Sequence, residues 1–142
     1  MATSSLYDDI IMDHIRNARN YRLMERTTRS AEANNPLCGD ALKVYVDLDG
    51  DRVADVSFQC ECCGISMASA SMMTEAVLGR TRAEVAAIRD EFRRAVETGA
   101  IVASETGHPD HHAMLQFLRA TPARKNCALL SWTALSKALS GG

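Results

Sequence analysis

The five cysteines are the residues of this chain that are best suited to chemistry. Cys60, Cys62 and Cys63 crowd into one short segment, whereas Cys38 and Cys127 lie far from it along the chain. Thiolates bind soft metal ions and attack sulfur. A secreted disulfide framework would spread its cysteines more evenly and would use an even number. We therefore expect metal binding or thiol chemistry in a reducing compartment, where structural disulfides are not expected.

Cys63 lies where a strand should give way to a helix. Residues 53–58 alternate like a strand, and Gly64 then opens a run of helix formers. Unpaired N–H groups and the positive end of the helix dipole favour a thiolate at such a junction. The run stays uncharged and rich in small residues up to Glu75, so we expect a central helix with other elements packed closely around it.

A predicted β-hairpin brings a second cysteine towards Cys63. Residues 42–48 alternate strictly, and the Asp-Gly-Asp sequence at residues 49–51 is typical of a hairpin turn. Cys38 and Asp40 precede this hairpin on a loop rich in asparagine, proline and glycine. Because antiparallel pairing joins the two ends of a hairpin, both side chains can meet Cys63.

The last cysteine completes a predicted site of three thiols and one carboxylate, made of Cys38, Asp40, Cys63 and Cys127. Three sulfurs and one oxygen suit a tetrahedral zinc ion, and an iron–sulfur cluster would also accept them. The spacing leaves both occupants open, and simple burial of Cys127 on an apolar helix face is an alternative. A structural zinc domain is a further interpretation of the same residues.

Apolar periodicity predicts the elements that carry these residues. The predicted strands are residues 27–33, which are edge-like because of their charges, 42–48 and 53–58. Five helices are predicted. The first covers residues 6–17, the second begins at 64, the third runs from 82 to about 98, the fourth follows Asp110 and the fifth begins at 122. Thr81 and Glu84 form a capping box in front of the third helix.

The histidines have simpler explanations than metal binding. His14 lies on the apolar stripe of the first helix, where a hydrogen-bonded core or interface histidine is more common than a ligand. Three histidines fall within residues 108–112. We favour a solvent-facing helix start there, with Asp110 as its N-cap, over a metal site.

Size and composition indicate one domain over residues 1–142, with disordered ends at 1–5 and 140–142. The chain is 46% hydrophobic and 24% charged, which is ordinary for a globular protein, and its formal net charge is −2. The basic cluster near the last cysteine, Arg124-Lys125, is too short to indicate nucleic-acid binding. No apolar run approaches the roughly 20 residues that span a bilayer, and the start lacks a signal-peptide core. We expect a cytoplasmic protein without nucleic-acid or membrane partners.

Four segments resemble, in order, the IscU/SufU/NifU N-terminal family of iron–sulfur assembly proteins. They are Leu6-Tyr7 with Ile10-Ile11-Met12-Asp13-His14, then Asn35-Pro36-Leu37-Cys38-Gly39-Asp40, then Cys63-Gly64-Ile65-Ser66 with residues 68–74, and Arg124-Lys125-Asn126-Cys127-Ala128-Leu129-Leu130. The likeness covers nearly the whole chain. It is greatest to the SufU branch, because a long segment at about 98–120 precedes the last cysteine and Asn126 stands where the IscU branch has a histidine.

The resemblance implies an α+β fold, in which a small antiparallel sheet of about three strands packs against four to five helices. It implies metal ligands at Cys38, Asp40, Cys63 and Cys127, with zinc as the usual ion in SufU-like proteins. It further implies that Cys38 accepts persulfide sulfur from a pyridoxal-phosphate cysteine desulfurase of the SufS type, without independent turnover, for use by downstream iron–sulfur proteins. Arg124 would contact the partner or the thiolate, or else be a solvated arginine. The alternative is a scaffold that assembles and transfers a [2Fe–2S] cluster on the same ligands.

Cys60 and Cys62 depart from the family pattern, which usually has glycines at these two positions. If the strand persists, both side chains share one face and Cys63 takes the other. These accessory thiols would trap metal, pair with one another or accept sulfur, or else they are tolerated small substitutions. Cys63 is kept as the ligand because it directly precedes residues 64–66 of the motif.

Overall fold

The computed structural model describes residues 2–25, 27, 29–35, 39–98, 108 and 110–140, with side chains from residue 9 onward. Its elements are α1 (Ala2–Arg16), β1 (Arg29–Asn35), β2 (Asp40–Asp49), β3 (Arg52–Glu61), α2 (Gly64–Val77), α3 (Arg82–Thr98), α4 (His111–Ala120), a 3₁₀ turn (Pro122–Arg124) and α5 (Lys125–Ser140). This architecture confirms the expected α+β fold. No helix in the described part of the chain is long and apolar enough to cross a bilayer.

The sheet is an antiparallel meander in the order β1-β2-β3. The predicted hairpin forms around Gly50, which adopts φ +62°, and its open end places Leu42 opposite Cys60. β1 lies two residues later than predicted, since Asn35 pairs with Asp40. Backbone pairing to β2 decides this boundary and overrides the poor strand preference of asparagine.

α2 is buried nearly all round, as its small uncharged residues predict. Ten of its 14 residues are buried, so the helix has no broad solvent face. It contacts α1, α5 and β3, and α5 also covers β1 and β2. Gly64 has a packing role here, because a Cβ at this position would lie 2.9 Å from Cδ1 of Ile15 on α1.

Several helix boundaries differ from the prediction. α1 begins at Ala2, four residues before its predicted start, and α5 ends at Ser140. The disorder expected at 1–5 and 140–142 stays a prediction. The last helix is preceded by the 3₁₀ turn, although Pro122 opens that turn as expected. The capping box is confirmed, since the backbone N–H of Thr81 donates to Glu84 Oε1 over 2.9 Å and that of Glu84 to Thr81 Oγ1 over 3.2 Å.

Candidate metal centre

Asp40, Cys63 and Cys127 converge on one point, although three separate elements carry them. Asp40 opens β2, Cys63 is the N-cap of α2 and Cys127 lies in the first turn of α5. One carboxylate oxygen and the two sulfurs all lie within 4.8 Å of one another. In a tetrahedral zinc site with bonds of about 2.3 Å, neighbouring sulfurs are about 3.8 Å apart. The three donors would need to close only slightly around a shared ion.

The burial of these donors favours a cation between them. Asp40 is 5% exposed and Cys127 is fully buried, whereas Cys63 is partly exposed. Burying a carboxylate among sulfurs is costly unless an opposite charge compensates it. A bound divalent ion supplies that charge, so the donor set fits a metal. Among these three donors, Cys63 is the one that solvent or another molecule can reach.

Ser66 connects the three donors. Its buried Oγ lies 2.9 Å from Asp40 Oδ2, 3.2 Å from the carbonyl oxygen of Cys127 and 3.6 Å from Cys63 Sγ. A hydroxyl has one proton to donate, and the charged oxygen of Asp40 is the nearer of its two acceptors, so this bond fixes the orientation of Asp40. Ser66 belongs to the family motif at residues 63–66, but its role in orienting Asp40 was not expected from the sequence. Its place one helical turn after Cys63 was the available signal.

Backbone groups at the start of α2 also face the centre. The N–H of Cys63 donates to Asp40 Oδ1 over 3.1 Å, and the N–H of Ser66 points at Cys63 Sγ over 3.5 Å. Both N–H groups belong to the first turn, which has no helical acceptors for them. On the other side, Nη1 of Arg124 lies 4.0 Å from Cys127 Sγ.

Cys38, the predicted fourth ligand, lies outside the described residues, so its place at the centre stays a prediction. It is joined to Asp40 through Gly39, which adopts φ +71°. This left-handed conformation is readily available to glycine and places a turn directly before β2. The structure thus brings together three of the four predicted donors.

Cys60 and Cys62 form a disulfide, which is one of the alternatives weighed for these two thiols and corrects the general expectation of no structural disulfides. β3 extends to Glu61, and residues two apart in a strand point to the same face. Their Cα atoms are 5.5 Å apart, within the range that a disulfide bridges. Cys62 is therefore occupied, and Cys63 is the cysteine of this segment that meets Asp40.

Comparison with known families identifies the fold and its motifs together. Residues 6–141 match the family model described as the NifU-like N terminal domain. The chain belongs to this family. In a fold comparison, the NifU-like domain superposes with a TM-score of 0.83 on a crystal structure of a putative iron–sulfur cluster assembly scaffold protein for the SUF system from Fervidobacterium islandicum, at 28% identity and covering 93% of this chain and 95% of that one.

The NifU-like domain is similar in sequence to two curated relatives. The zinc-dependent sulfurtransferase SufU of Bacillus subtilis is 41% identical over 133 residues, which are 94% of this chain and 88% of the relative. The iron–sulfur cluster assembly scaffold protein IscU of Streptococcus pyogenes is 33% identical over 135 residues, which are 94% of this chain and 82% of the relative.

A second polar cluster of the NifU-like domain joins α1, α2 and the start of α4. His14 is fully buried, with Nδ1 2.7 Å from Ser71 Oγ and Nε2 2.8 Å from Asp110 Oδ2. Nε2 of His108 lies 2.8 Å from Glu75 Oε1. The prediction that His14 is a hydrogen-bonded core histidine is therefore confirmed.

The ligand atoms of His14, Glu75 and His108 in this second cluster also lie within 4.8 Å of one another. The tautomer of His108 nevertheless disfavours a metal ion there. Nδ1 of His108 accepts the backbone N–H of Asp110 over 3.0 Å. A neutral imidazole has one acceptor nitrogen, so Nε2 carries the proton and donates it to Glu75. A metal at Nε2 would have to displace that proton and reverse the tautomer.

The start of α4 differs from the predicted solvent-facing turn. Asp110 holds the N-cap position, but its side chain makes no capping hydrogen bond and accepts from His14 instead. His111 is 7% exposed and packs on Phe92, with ring centroids 4.4 Å apart. Burial, followed by the charges of two nearby histidines, lowers the pKa of His111 from 6.5 to about 3. This side chain is neutral in the folded protein at physiological pH.

Proposed function

We propose that this chain is an iron–sulfur cluster assembly protein that binds zinc through Cys38, Asp40, Cys63 and Cys127 and accepts persulfide sulfur on Cys38. The observation that carries the proposal is the meeting of Asp40, Cys63 and Cys127 from three distant elements. Three such residues that merely packed in the core would not need to share one point. The similarity to a zinc-dependent sulfurtransferase favours sulfur transfer over a purely structural ion.

Each ligand has a separate task in this proposal. A bound zinc ion keeps its thiol ligands deprotonated and exchangeable. Cys63 and Cys127 are fixed by α2 and α5, whereas Cys38 precedes β2 in the chain. The Cys38 thiolate attacks the outer sulfur of a donor persulfide, so that a new sulfur–sulfur bond forms as the donor thiolate leaves. Asp40 is a harder ligand than sulfur, which makes exchange at the site easier.

The donor that fits this chemistry is a pyridoxal-phosphate cysteine desulfurase of the SufS type, which carries a persulfide. In the test, the desulfurase is loaded with persulfide, freed of L-cysteine and mixed anaerobically with the full chain. Intact-mass measurement then counts the sulfur gained by each chain. We expect the wild type to gain sulfur and Cys38→Ser to gain none. Ser69→Ala, a buried change on α2, is the matched control and should behave as wild type.

A second measurement is desulfurase turnover with L-cysteine, in the presence and absence of this chain. If Cys38→Ser stimulates turnover as fully as the wild type does, sulfur transfer through Cys38 is contradicted. That result, combined with retained zinc binding, would favour a structural zinc domain. Either outcome is read from the same protein preparations.

A [2Fe–2S] scaffold is the second candidate, because the same ligands accept a cluster and a scaffold relative is 33% identical. Metal analysis after anaerobic purification separates the two. Colourless protein with about one zinc per chain supports the sulfur acceptor. Brown protein that contains iron and sulfide supports the scaffold.

A further inference from the structure

The Cys60–Cys62 disulfide lies beside the metal centre but takes no part in it. Cys62 directly precedes Cys63, and successive Cα atoms are about 3.8 Å apart. Cys60 pairs across the sheet with Leu42, two residues from Asp40 along β2. The disulfide therefore sits at the same open end of the hairpin as the centre.

Both cysteines of the pair are accessible enough to react, since each is partly exposed. Cys60 is held by its backbone: its carbonyl oxygen accepts from Tyr21 Oη over 3.1 Å. Cys62 follows Glu61, the last residue of β3, and lies in the short link before α2. Only one residue separates the two cysteines, so after reduction their thiols stay close enough to pair again.

We propose that Cys60 and Cys62 are a reducing pair that converts persulfide sulfur delivered to the adjacent centre into sulfide. The inference rests on the proposed function, because that function supplies the persulfide. Sulfur arrives at the oxidation level of a persulfide, whereas sulfide is more reduced by two electrons. Two neighbouring thiols that end as a disulfide provide those two electrons.

The reaction proceeds by two exchanges. The Cys62 thiolate attacks the outer sulfur of the persulfide on the acceptor cysteine, which leaves as a thiolate, and Cys62 becomes the persulfide. The Cys60 thiolate then attacks the inner sulfur of Cys62, expels hydrosulfide and forms the Cys60–Cys62 disulfide. One acceptor persulfide and two thiols thus give one acceptor thiol, one hydrogen sulfide and one disulfide. An external thiol reductant restores the dithiol.

The test is a single turnover with the full chain, zinc-loaded and without external thiol. A SufS-type desulfurase is loaded with persulfide, freed of L-cysteine and mixed anaerobically with an equal amount of the pre-reduced chain. Sulfide is measured, and intact mass after thiol alkylation reports disulfides and retained persulfides. The same wild-type chain with its Cys60–Cys62 disulfide kept closed is the matched control. Cys60→Ser and Cys62→Ser are tested separately.

The pre-reduced wild type should release sulfide while losing two alkylatable thiols. The pre-oxidised wild type and Cys62→Ser should release about tenfold less, and Cys60→Ser should retain persulfide on Cys62. Equal sulfide from pre-reduced and pre-oxidised wild type would overturn the proposal. If the variants gain sulfur but the wild type releases none, the reducing pair alone is wrong. If no form gains any sulfur, the proposed function itself fails.

Discussion

At the scale of single residues, one hydroxyl orients the candidate metal centre. Ser66 reaches Asp40 Oδ2, and it also approaches the sulfur of Cys63 and the backbone of Cys127. Groups that hold metal ligands by hydrogen bonds fix their orientation and raise metal affinity. Ser66 is therefore a positioning residue for the site.

Ser66→Ala should weaken zinc binding by about 10- to 100-fold, because the Asp40 carboxylate loses the bond that orients it. Competition with a chromophoric chelator measures the affinity. Ser69→Ala is the matched control, since Ser69 is equally buried on α2 and bonds only to the Ala128 carbonyl oxygen, over 2.6 Å, among the contacts described. An equal loss of affinity in both variants would show that Ser66 acts merely through the packing of α2.

His111 makes the stability of the fold depend on pH. Its pKa is about 3 in the folded state, against 6.5 ordinarily, so the unfolded chain binds a proton that the folded chain does not. Stability therefore rises with pH between these two values. The slope is about 1.4 kcal/mol per pH unit, which gives a cost of about 2 kcal/mol at pH 5 relative to pH 7.

His111→Leu should flatten this dependence, since the unfolded chain then has one fewer site to protonate. Urea unfolding at pH 7 and pH 5 measures the free energy of unfolding at both values. The exposed neighbour His112 provides the control, and His112→Gln should keep the wild-type slope. An unchanged slope in His111→Leu would mean that His111 is protonated in the folded state.

At the scale of elements, α4 is tied to the rest of the molecule partly through polar contacts. Asp110 at its start accepts from buried His14 on α1, and His108 just before it donates to Glu75 on α2. These bonds join the segment that carries α4 to two helices that pack on each other. Because His14 is fully buried, its bond cannot be replaced by water without rearrangement.

Asp110→Ala should lower the free energy of unfolding by about 1–3 kcal/mol, because a buried donor of His14 loses its acceptor. Amides of α4 should also exchange faster with solvent than in the wild type. Asp90→Ala provides the comparison, since Asp90 is 55% exposed on α3 and pairs with its neighbour Arg89. Its effect should be within about 0.5 kcal/mol of zero. If the amides of α4 exchange as slowly in Asp110→Ala as in the wild type, the bond between His14 and Asp110 does not hold α4 in place.

At the scale of the whole molecule, the candidate metal centre links elements from distant parts of the chain. Asp40 belongs to the hairpin, Cys63 to the start of α2 and Cys127 to α5. An ion that binds all three is bound only by the folded chain, so binding adds to folding stability by mass action.

Zinc should therefore raise the free energy of unfolding, by about 4 kcal/mol when free zinc exceeds its dissociation constant a thousandfold. Thermal or urea unfolding of chelator-treated and zinc-loaded protein measures this increment. Cys127→Ser should lose most of it, because a buried sulfur ligand is gone. The same unfolding curve with and without zinc would rule out a site shared by these elements.

The sequence by itself determined the features whose causes are local. Alternation and an Asp-Gly-Asp turn predicted the hairpin, and the capping box with apolar periodicity predicted α3. The ordered motifs identified the family. Strand period, helix period and turn chemistry each act over a few residues, so they can be read without knowing the packing.

The tertiary structure decided which distant groups meet. It brought Ser66 to Asp40, buried His111 and turned the Asp110 side chain from capping α4 to accepting from His14. It also moved β1 by two residues, because pairing with β2 outweighs local preference. Each of these contacts joins residues that are far apart along the chain, so local sequence patterns do not predict it. Hydrogen bonds of buried groups are costly to leave unmade, and this cost selects one arrangement.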